Sequence, residues 1–409
     1  MKKYDFIFLC QYFYPEYVSS ATLPFDTAEH LAKEGLKVKA VCGFPGEYLR
    51  DEDVKRRETY QGIDIVRLPY LKLNRSNTIG RLLNFISFFS SALFSVRELK
   101  NCQSVIVYSN PPMLPLVALL AKRLYKTKIV FVCYDIYPEL AIRSHSTNPN
   151  SILTRTMNWI NKRFYPKVDL IITLSNDMKR YIEENRNINC SVKVIPNWFE
   201  DLIDNIYQAQ QTQNSCSKDY FISSYFGNMG IVQDVETILD ASRVLKNNSE
   251  YKFRFAGHGV KRSIVESVIK EGSSNVSLDG FLHDEAYIKA LAESDCCLVS
   301  LIPGISDLCS PSKVYAYMMQ GKPIVAIMDS CQLSNEIVQG QAGVHIKNGD
   351  AQSLVNFLIE AKAEPDLTEK MGLNARKLYE TKYSKQICMS EYWMAIKSLM
   401  KDVKASEIM

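Results

Sequence analysis

Among its eleven cysteines the sequence has no C-x-x-C pair and no Cys/His cluster with zinc-site spacing. Nothing in it therefore reads as a structural zinc site. Apart from Cys296–Cys297 the thiols stand singly, and Cys10, Cys42, Cys133 and Cys296 lie in apolar runs, where cysteine serves as a small hydrophobe. An odd number of thiols and the lack of a secretion signal predict the reducing cytoplasm. The opening MKKYDFIFLC is basic and then apolar, but Gln11–Glu16 cuts the run short and leaves a first strand. No uncharged stretch is long enough to span a bilayer. Leu82–Val96 falls short of the roughly 20 residues required, and Asn101–Ala121 is broken by Pro111, Pro112 and Pro115. There is no short-period repeat, no low-complexity tract and no basic motif with a stacking platform, so nucleic acid is not an expected partner.

What is present is ordinary globular composition: 409 residues, 46% hydrophobic and 23% charged, enough for two or three domains. The net charge of +4 is uneven, because residues 1–200 hold 28 Lys/Arg against 19 Asp/Glu. A basic first half predicts an anionic partner there, such as a phospholipid surface or a phosphorylated acceptor.

Short β-rich runs alternate with amphipathic helical runs. Residues 4–10, 36–42, 63–68, 104–108, 128–134, 169–174 and 191–195 read as strands, and the helical pattern at 21–34 should stop at Gly35. Polar residues 200–218 form a linker. A second series follows, with strands near 220–227, 251–257, 275–279, 295–300 and 322–327. Such alternation predicts two successive doubly wound parallel-sheet units. Ligands of these sheets bind beyond the carboxyl ends of the strands.

Three polar or glycine-rich segments follow strands of the second series. F-G-N-M-G (Phe226–Gly230) precedes a helical run around 233–247, a turn whose amides suit a phosphate. F-A-G-H-G (Phe255–Gly259) is followed by Lys261 and Arg262. After D-G-F-L (Asp279–Leu282) comes S-P-S-K-V-Y-A-Y-M-M-Q-G-K-P (Ser310–Pro323), where Ser310 is expected to cap a helix with Pro311 in its first turn. That helix would aim Ser312 and Lys313 at a ligand.

Over nearly its whole length the chain resembles the family 4 glycosyltransferases. Besides those segments, YFYPE (Tyr12–Glu16), GFP (Gly43–Pro45), SNPP (Ser109–Pro112), YDIYPE (Tyr134–Glu139) and IPN (Ile195–Asn197) follow that family's order, as do N-E-I-V, A-G-V and N-G-D within Asn335–Asp350. The pattern is similar to the fucosamine-type, N-acetylated amino-sugar transferases of O-antigen and capsule assembly. The resemblance implies a GT-B α/β architecture of two Rossmann-like doubly wound parallel-sheet domains facing a central cleft. Residues 1–198 would bind acceptor and 199–383 donor, with a C-terminal helix at 384–409 packing back towards the first domain.

It also implies a retaining, metal-independent transfer from a nucleoside diphosphate-sugar, UDP-linked in the family's manner, with no further cofactor. The donor would meet Gly227, Asn228, Gly230, Gly257, Arg262, Phe281, Leu282, Ser310, Ser312 and Lys313, and the last would stabilise the departing diphosphate. Asp135 and Glu139 are the candidates for orienting the sugar or taking the acceptor's proton. Tyr14, Ser19, Ser20 and Asn110 fall on the acceptor side. A polyprenyl-diphosphate-linked acceptor would place the protein at the inner face of the cytoplasmic membrane.

The chain departs from the family where two glutamates with seven residues between them usually precede G-x-P, because the corresponding positions are Leu308 and Ala316. The cation that often follows G-N-x-G is also missing, the residues being Ile231, Val232 and Gln233. Asp307 or the hydroxyls of Tyr315 or Tyr317 are the candidates to replace the ribose contact. The same loss opens another reading, a catalytically silent partner subunit of another transferase. A hydrolysing epimerase would need a carboxylate- and histidine-rich site that does not assemble. The run Arg81–Arg97, apolar and aromatic between two arginines, suits either a bilayer interface or a core helix. Acidic Asp51–Asp53 reads as a surface loop.

Overall fold

A computed structural model describes residues 3–46, 54–73, 78–200 and 219–406. Asp51–Asp53 and all but the first residue of the 200–218 linker lie outside the described residues. The chain divides into two compact units. The first comprises Met1–Pro196, Leu308–Ser310 and Met389–Met409; the second comprises Asn197–Asp307 and Pro311–Cys388.

Among the described residues the first unit has eight strands: β1 (Tyr4–Leu9), β2 (Val38–Gly43), β3 (Arg57–Tyr60), β4 (Ile63–Leu68), β5 (Cys102–Tyr108), β6 (Lys128–Cys133), β7 (Leu170–Thr173) and β8 (Val192–Val194). Their order is β3-β4-β2-β1-β5-β6-β7-β8, parallel except for β3. The central strands are apolar on both faces because helices cover both, and β2 is buried along its length. The strand reading missed β3, whose R-E-T-Y is charged and half exposed as an edge strand allows. It pairs with β4 through Gln61 and Gly62, whose φ values of +48° and +76° are those a two-residue hairpin turn demands.

Among the described residues six α-helices precede the linker: α1 (Ser19–Lys33), α2 (Thr78–Phe94), α3 (Pro115–Tyr125), α4 (Glu139–Arg143), α5 (Ile152–Phe164) and α6 (Asn176–Asn185). Gly35, at φ +84°, follows the end of α1 as its position predicts. The run Arg81–Arg97 has a core face and a solvent face. Phe88 and Ala92 of α2 point inward with Asn84, which ties Leu73 through both its amide atoms, while Leu82, Leu83, Ile86 and Phe94 are exposed.

The second unit holds β9 (Phe221–Phe226), β10 (Tyr251–Ala256), β11 (Val276–Asp279), β12 (Cys296–Ser300), β13 (Ile324–Ile327) and β14 (Gly343–Ile346), in the order β11-β10-β9-β12-β13-β14. All are parallel, and the order reverses between β9 and β12, the switch point where ligands of such sheets bind. Its helices are α7 (Glu236–Val244), α8 (Arg262–Lys270), α9 (Asp284–Glu293), α10 (Lys313–Met319), α11 (Gln332–Gln339), α12 (Ala351–Ala363) and α13 (Pro365–Leu378); α14 (Lys385–Ser406) follows, and from Met389 on it belongs to the first unit. Tyr225, Phe253, Phe255, Ile238, Leu298 and Leu354 anchor one buried cluster.

Candidate functional site

At the switch point of the second unit the two glycine loops interlock. Gly227 N–H donates to Ala256 O, Met229 N–H to His258 O, and Lys261 N–H to Met229 O, at 2.7–2.9 Å. The approach needs glycine. Gly257 has φ +142°, and a Cβ there would stand 2.0 Å from Gly227 O. This contact corrects one expectation, the amide cradle over Gly227–Gly230. Gly227 and Met229 spend their N–H groups on the neighbouring loop, and Gly230 N–H donates to Gln233 Oε1 at 2.9 Å. Moreover α7 starts only at Glu236, so its N-terminus lies well past the turn.

Lys313 supplies what the amides do not. Its side chain passes Gly227, with Cε 3.6 Å from where a Cβ would be. Its ammonium stands over the Tyr225 ring at 3.5 Å from the centroid and donates to Asn228 O at 3.4 Å. Tyr225 O–H donates to the same carbonyl at 3.0 Å. No carboxylate among the described residues pairs with Lys313, and burial pushes its pKa well below the usual lysine range. The other cations nearby are committed: Lys261 to Glu236 at 2.8 Å, and Arg262 through Nε to Glu266 and through Nη1 to Gly257 O and Asp279 O. Arg262, expected at the phosphates, thus staples the ends of β10 and β11.

Phe281 is partly exposed and its ring lies 5.5 Å from that of His258, while Leu282 is half-buried. The helix that Ser310 was expected to cap, with Pro311 in its first turn, begins instead at Lys313, with Ser312 at the cap position and no side-chain cap bond. Pro311 and Ser312 form a lead-in turn, their carbonyls accepting from Val314 and Tyr315. Ser310 falls in the first unit, apart from the other donor candidates. Ala316 and Leu308 are 1% and 0% exposed. Tyr317 cannot substitute for the missing glutamate, because its hydroxyl bonds the N–H and C=O of Phe226 and is fully buried. Tyr315 is buried as well, against Tyr383. Asp307 is partly exposed.

In the first unit the order reverses between β1 and β5. Ser109, after β5, accepts at Oγ from the N–H groups of Tyr134 (3.1 Å) and Asp135 (3.2 Å), so the SNPP and YDIYPE loops are tied, with Asn110 beside them. The Asp135 carboxyl has no partner among the described residues, and burial raises its pKa to about 6. Ile136 N–H donates to Leu308 O of the same unit. Glu139 opens α4 and is paired with Arg186, which makes it a structural anchor for this loop. Tyr14 stacks on Tyr60 with centroids 4.0 Å apart and packs on Phe25, so its ring serves the core. Ser19 is exposed and Ser20 half-buried in the first turn of α1. Peptide bonds preceding Pro15, Pro111 and Pro138 are cis.

Sequence reasoning passed over Tyr225 and a buried polar group at the end of β1. Glu16 is buried, accepts from Gly46 N–H at 3.1 Å, leaves Oε2 unpaired, and has its pKa raised by burial to about 7. The Gln11 side-chain amide is also without a partner among the described residues. No spacing signals such groups. Among the described residues no three His, Cys, Asp or Glu side chains cluster as metal ligands.

Two family models match the chain in succession: glycosyltransferase family 4 over residues 21–201 and glycosyl transferases group 1 over residues 207–378. A probable glycosyltransferase of Pseudomonas aeruginosa, WbjE, is 25% identical over 359 residues, covering 81% of this chain and 85% of that one. Sucrose-phosphate synthase from Thermosynechococcus elongatus superposes with a TM-score of 0.76 at 14% identity, over 97% of this chain and all of that one. WaaG, a glycosyltransferase of lipopolysaccharide biosynthesis, gives 0.68 at 12% identity, with 95% and 98% covered. HepE of Anabaena, solved with UDP-glucose, gives 0.67 at 16% identity, with 97% and 100% covered. At these identities the solved structures establish the fold.

Proposed function

The chain is a glycosyltransferase of GT-B fold, a family 4 domain followed by a group 1 domain, and from that premise we propose a UDP-sugar donor on the second unit and an acceptor on the first. One observation carries the donor assignment: the Lys313 ammonium, half-buried and without a counter-ion among the described residues, beside Gly227 and over Tyr225. Withdrawing an ammonium from water without an anion is costly, and a diphosphate supplies the missing charge. The same cation then stabilises the diphosphate as the glycosidic bond breaks, where low polarity strengthens it. No metal ion or further cofactor is required for that step. UDP and UDP-glucose bound to HepE support the choice of base.

Asp135 takes the acceptor proton or orients its hydroxyl. Transfer proceeds with retention, as the family resemblance implies, and the donor is an N-acetylated amino sugar. Similarity to WaaG, a glycosyltransferase of lipopolysaccharide biosynthesis, supports a place in bacterial surface polysaccharide assembly, and the lipid-linked acceptor is what the family resemblance implies. Exposed Leu82, Ile86 and Phe94 on α2, and Ile152 and Trp159 on α5, support attachment to an anionic membrane face, since Arg97, Arg155, Lys162 and Arg163 lie close to them in the sequence. Calorimetry tests the donor reading. UDP should bind in the micromolar to millimolar range, and GDP more weakly; no binding of either ends it.

A second reading is a silent partner subunit, favoured by the burial of Ala316 and Leu308 and by the engaged hydroxyl of Tyr317. Loss of a charge-assisted ribose contact costs about 1.5–3 kcal/mol, which weakens a donor site without erasing it. The silent partner would bind no UDP-sugar alone. The transferase would release UDP when given donor and acceptor.

A further inference from the structure

We propose that Tyr225 is a positioning residue for the transfer: its ring and its hydroxyl together seat the Lys313 ammonium where the donor's diphosphate binds. The inference deepens the donor reading and rests on it for the identity of the ligand. Tyr225 is the last residue but one of β9 and is fully buried. A buried phenol needs a partner, and this one donates to Asn228 O at 3.0 Å, which holds the ring in one orientation. A carbonyl oxygen has two lone pairs. The second receives the Lys313 ammonium at 3.4 Å, and the same ammonium stands 3.5 Å from the ring centroid. Ring face and carbonyl thus locate one cation from two directions.

The acids close enough to act on Tyr225 are already occupied. They are Asp234 and Glu236. Asp234 Oδ2 accepts from Thr237 Oγ1 and from Asn348 Nδ2, both at 2.7 Å, and Glu236 pairs with Lys261 at 2.8 Å. Neither is left to draw the lysine aside. A ring face suits the task better than a carboxylate would. It attracts the cation without neutralising it, so the whole charge is kept for the diphosphate. A lysine stem has four rotors, and an ammonium ordered before the ligand arrives binds it more tightly than one the ligand must order. A cation over a desolvated aromatic face is held about five- to thirty-fold more firmly than one without it.

A double-mutant cycle on the full chain tests this, with UDP affinity read by calorimetry, or by saturation-transfer NMR where binding is weak. Tyr225→Leu should weaken UDP binding about five- to thirty-fold when Lys313 is present, and less than about two-fold in the Lys313→Ala background. Tyr225→Phe keeps the ring and should stay within about three-fold of the native chain. Tyr225→Met serves if the leucine variant does not fold. NMR of lysine-labelled protein gives a readout that needs no UDP. The Lys313 Cε protons, identified by their loss in Lys313→Ala, should be shifted upfield by the ring and lose that shift in Tyr225→Leu. Equal losses of affinity in the two backgrounds overturn the proposal, because a merely structural tyrosine matters as much without the lysine as with it. A phenylalanine variant as weak as the leucine one, or a Lys313 signal with no upfield shift, also overturns it. A native chain that shows the shifted lysine but binds no UDP would instead remove the donor reading, and the catalytic role with it, while the lysine's seat stands.

Discussion

Lys313 stands over Tyr225 with no ion pair to lose, so truncating it should leave the fold intact. Lys313→Ala is expected to cut turnover at least ten-fold, about 1.4 kcal/mol or more in the transition state, with the melting temperature shifted by no more than about 2 °C. An unchanged rate would remove the lysine from the donor site. The same residue predicts a proton linkage. Burial lowers its pKa in the free protein, and a bound diphosphate raises it again, so UDP binding takes up a proton between the two values. Affinity should therefore fall as pH rises. Calorimetry in two buffers of different ionisation heat measures the uptake; none at any pH from 7 to 9 contradicts it.

Asp135 has the opposite charge and the opposite sign. Its folded pKa of about 6 exceeds the ordinary carboxyl value of about 3.9, so its contribution to stability is fully present below 3.9 and is lost as pH rises through 6. Asp135→Asn should therefore stabilise the protein at pH 8 by about 1–2 kcal/mol, after allowance for partial exposure, while lowering activity and erasing an acid limb near pH 6. Denaturation at pH 8 together with a pH–rate profile decides it; a less stable variant contradicts the assignment. Both residues were legible in the chain because each follows a strand within a short motif. Tyr225 was not, since it looks like strand core.

Among the elements, the loops after β9 and β10 depend on one close approach. Gly257→Ala puts a Cβ 2.0 Å from Gly227 O and forces φ +142° on a side chain that resists it. A loss of about 1–3 kcal/mol in stability is expected, with weaker UDP binding because Asn228 O moves away from Lys313. Retained stability and retained UDP affinity would show the loops to be slack. Strand and helix identities were largely readable from apolar periodicity. The edge strand β3 and the short β14 were missed because half-polar four-residue strands carry little period-2 signal. The start of α10 was set by the lead-in turn at Pro311–Ser312, which a cap rule applied to Ser310 cannot anticipate.

At the scale of the molecule, no helix among the described residues is long and apolar enough to cross a membrane. The basic excess instead sits in the half that carries the exposed apolar residues, Phe94 at 85% and Ile152 at 84% exposure. Ile86→Glu with Phe94→Glu should abolish flotation with anionic vesicles and leave the melting temperature nearly unchanged, because both side chains already face solvent. Binding that is indifferent to lipid charge, or that survives the double change, ends the membrane proposal.

The residues by themselves determined the two parallel-sheet units. Strands covered on both faces must be apolar throughout, their crossovers must be amphipathic, and both demands are written locally. They also determined that Lys313 and Asp135 follow strands, the side on which such sheets bind ligands. Only the tertiary structure decided which polar groups are already taken: three of the four amides in Gly227–Gly230, the Arg262 guanidinium, Glu139 and the Tyr317 hydroxyl. Apart from Gln233, which serves Gly230 three residues away, and Gly257, five residues before Arg262, their partners come from other strands and loops through long-range register, which no local spacing encodes.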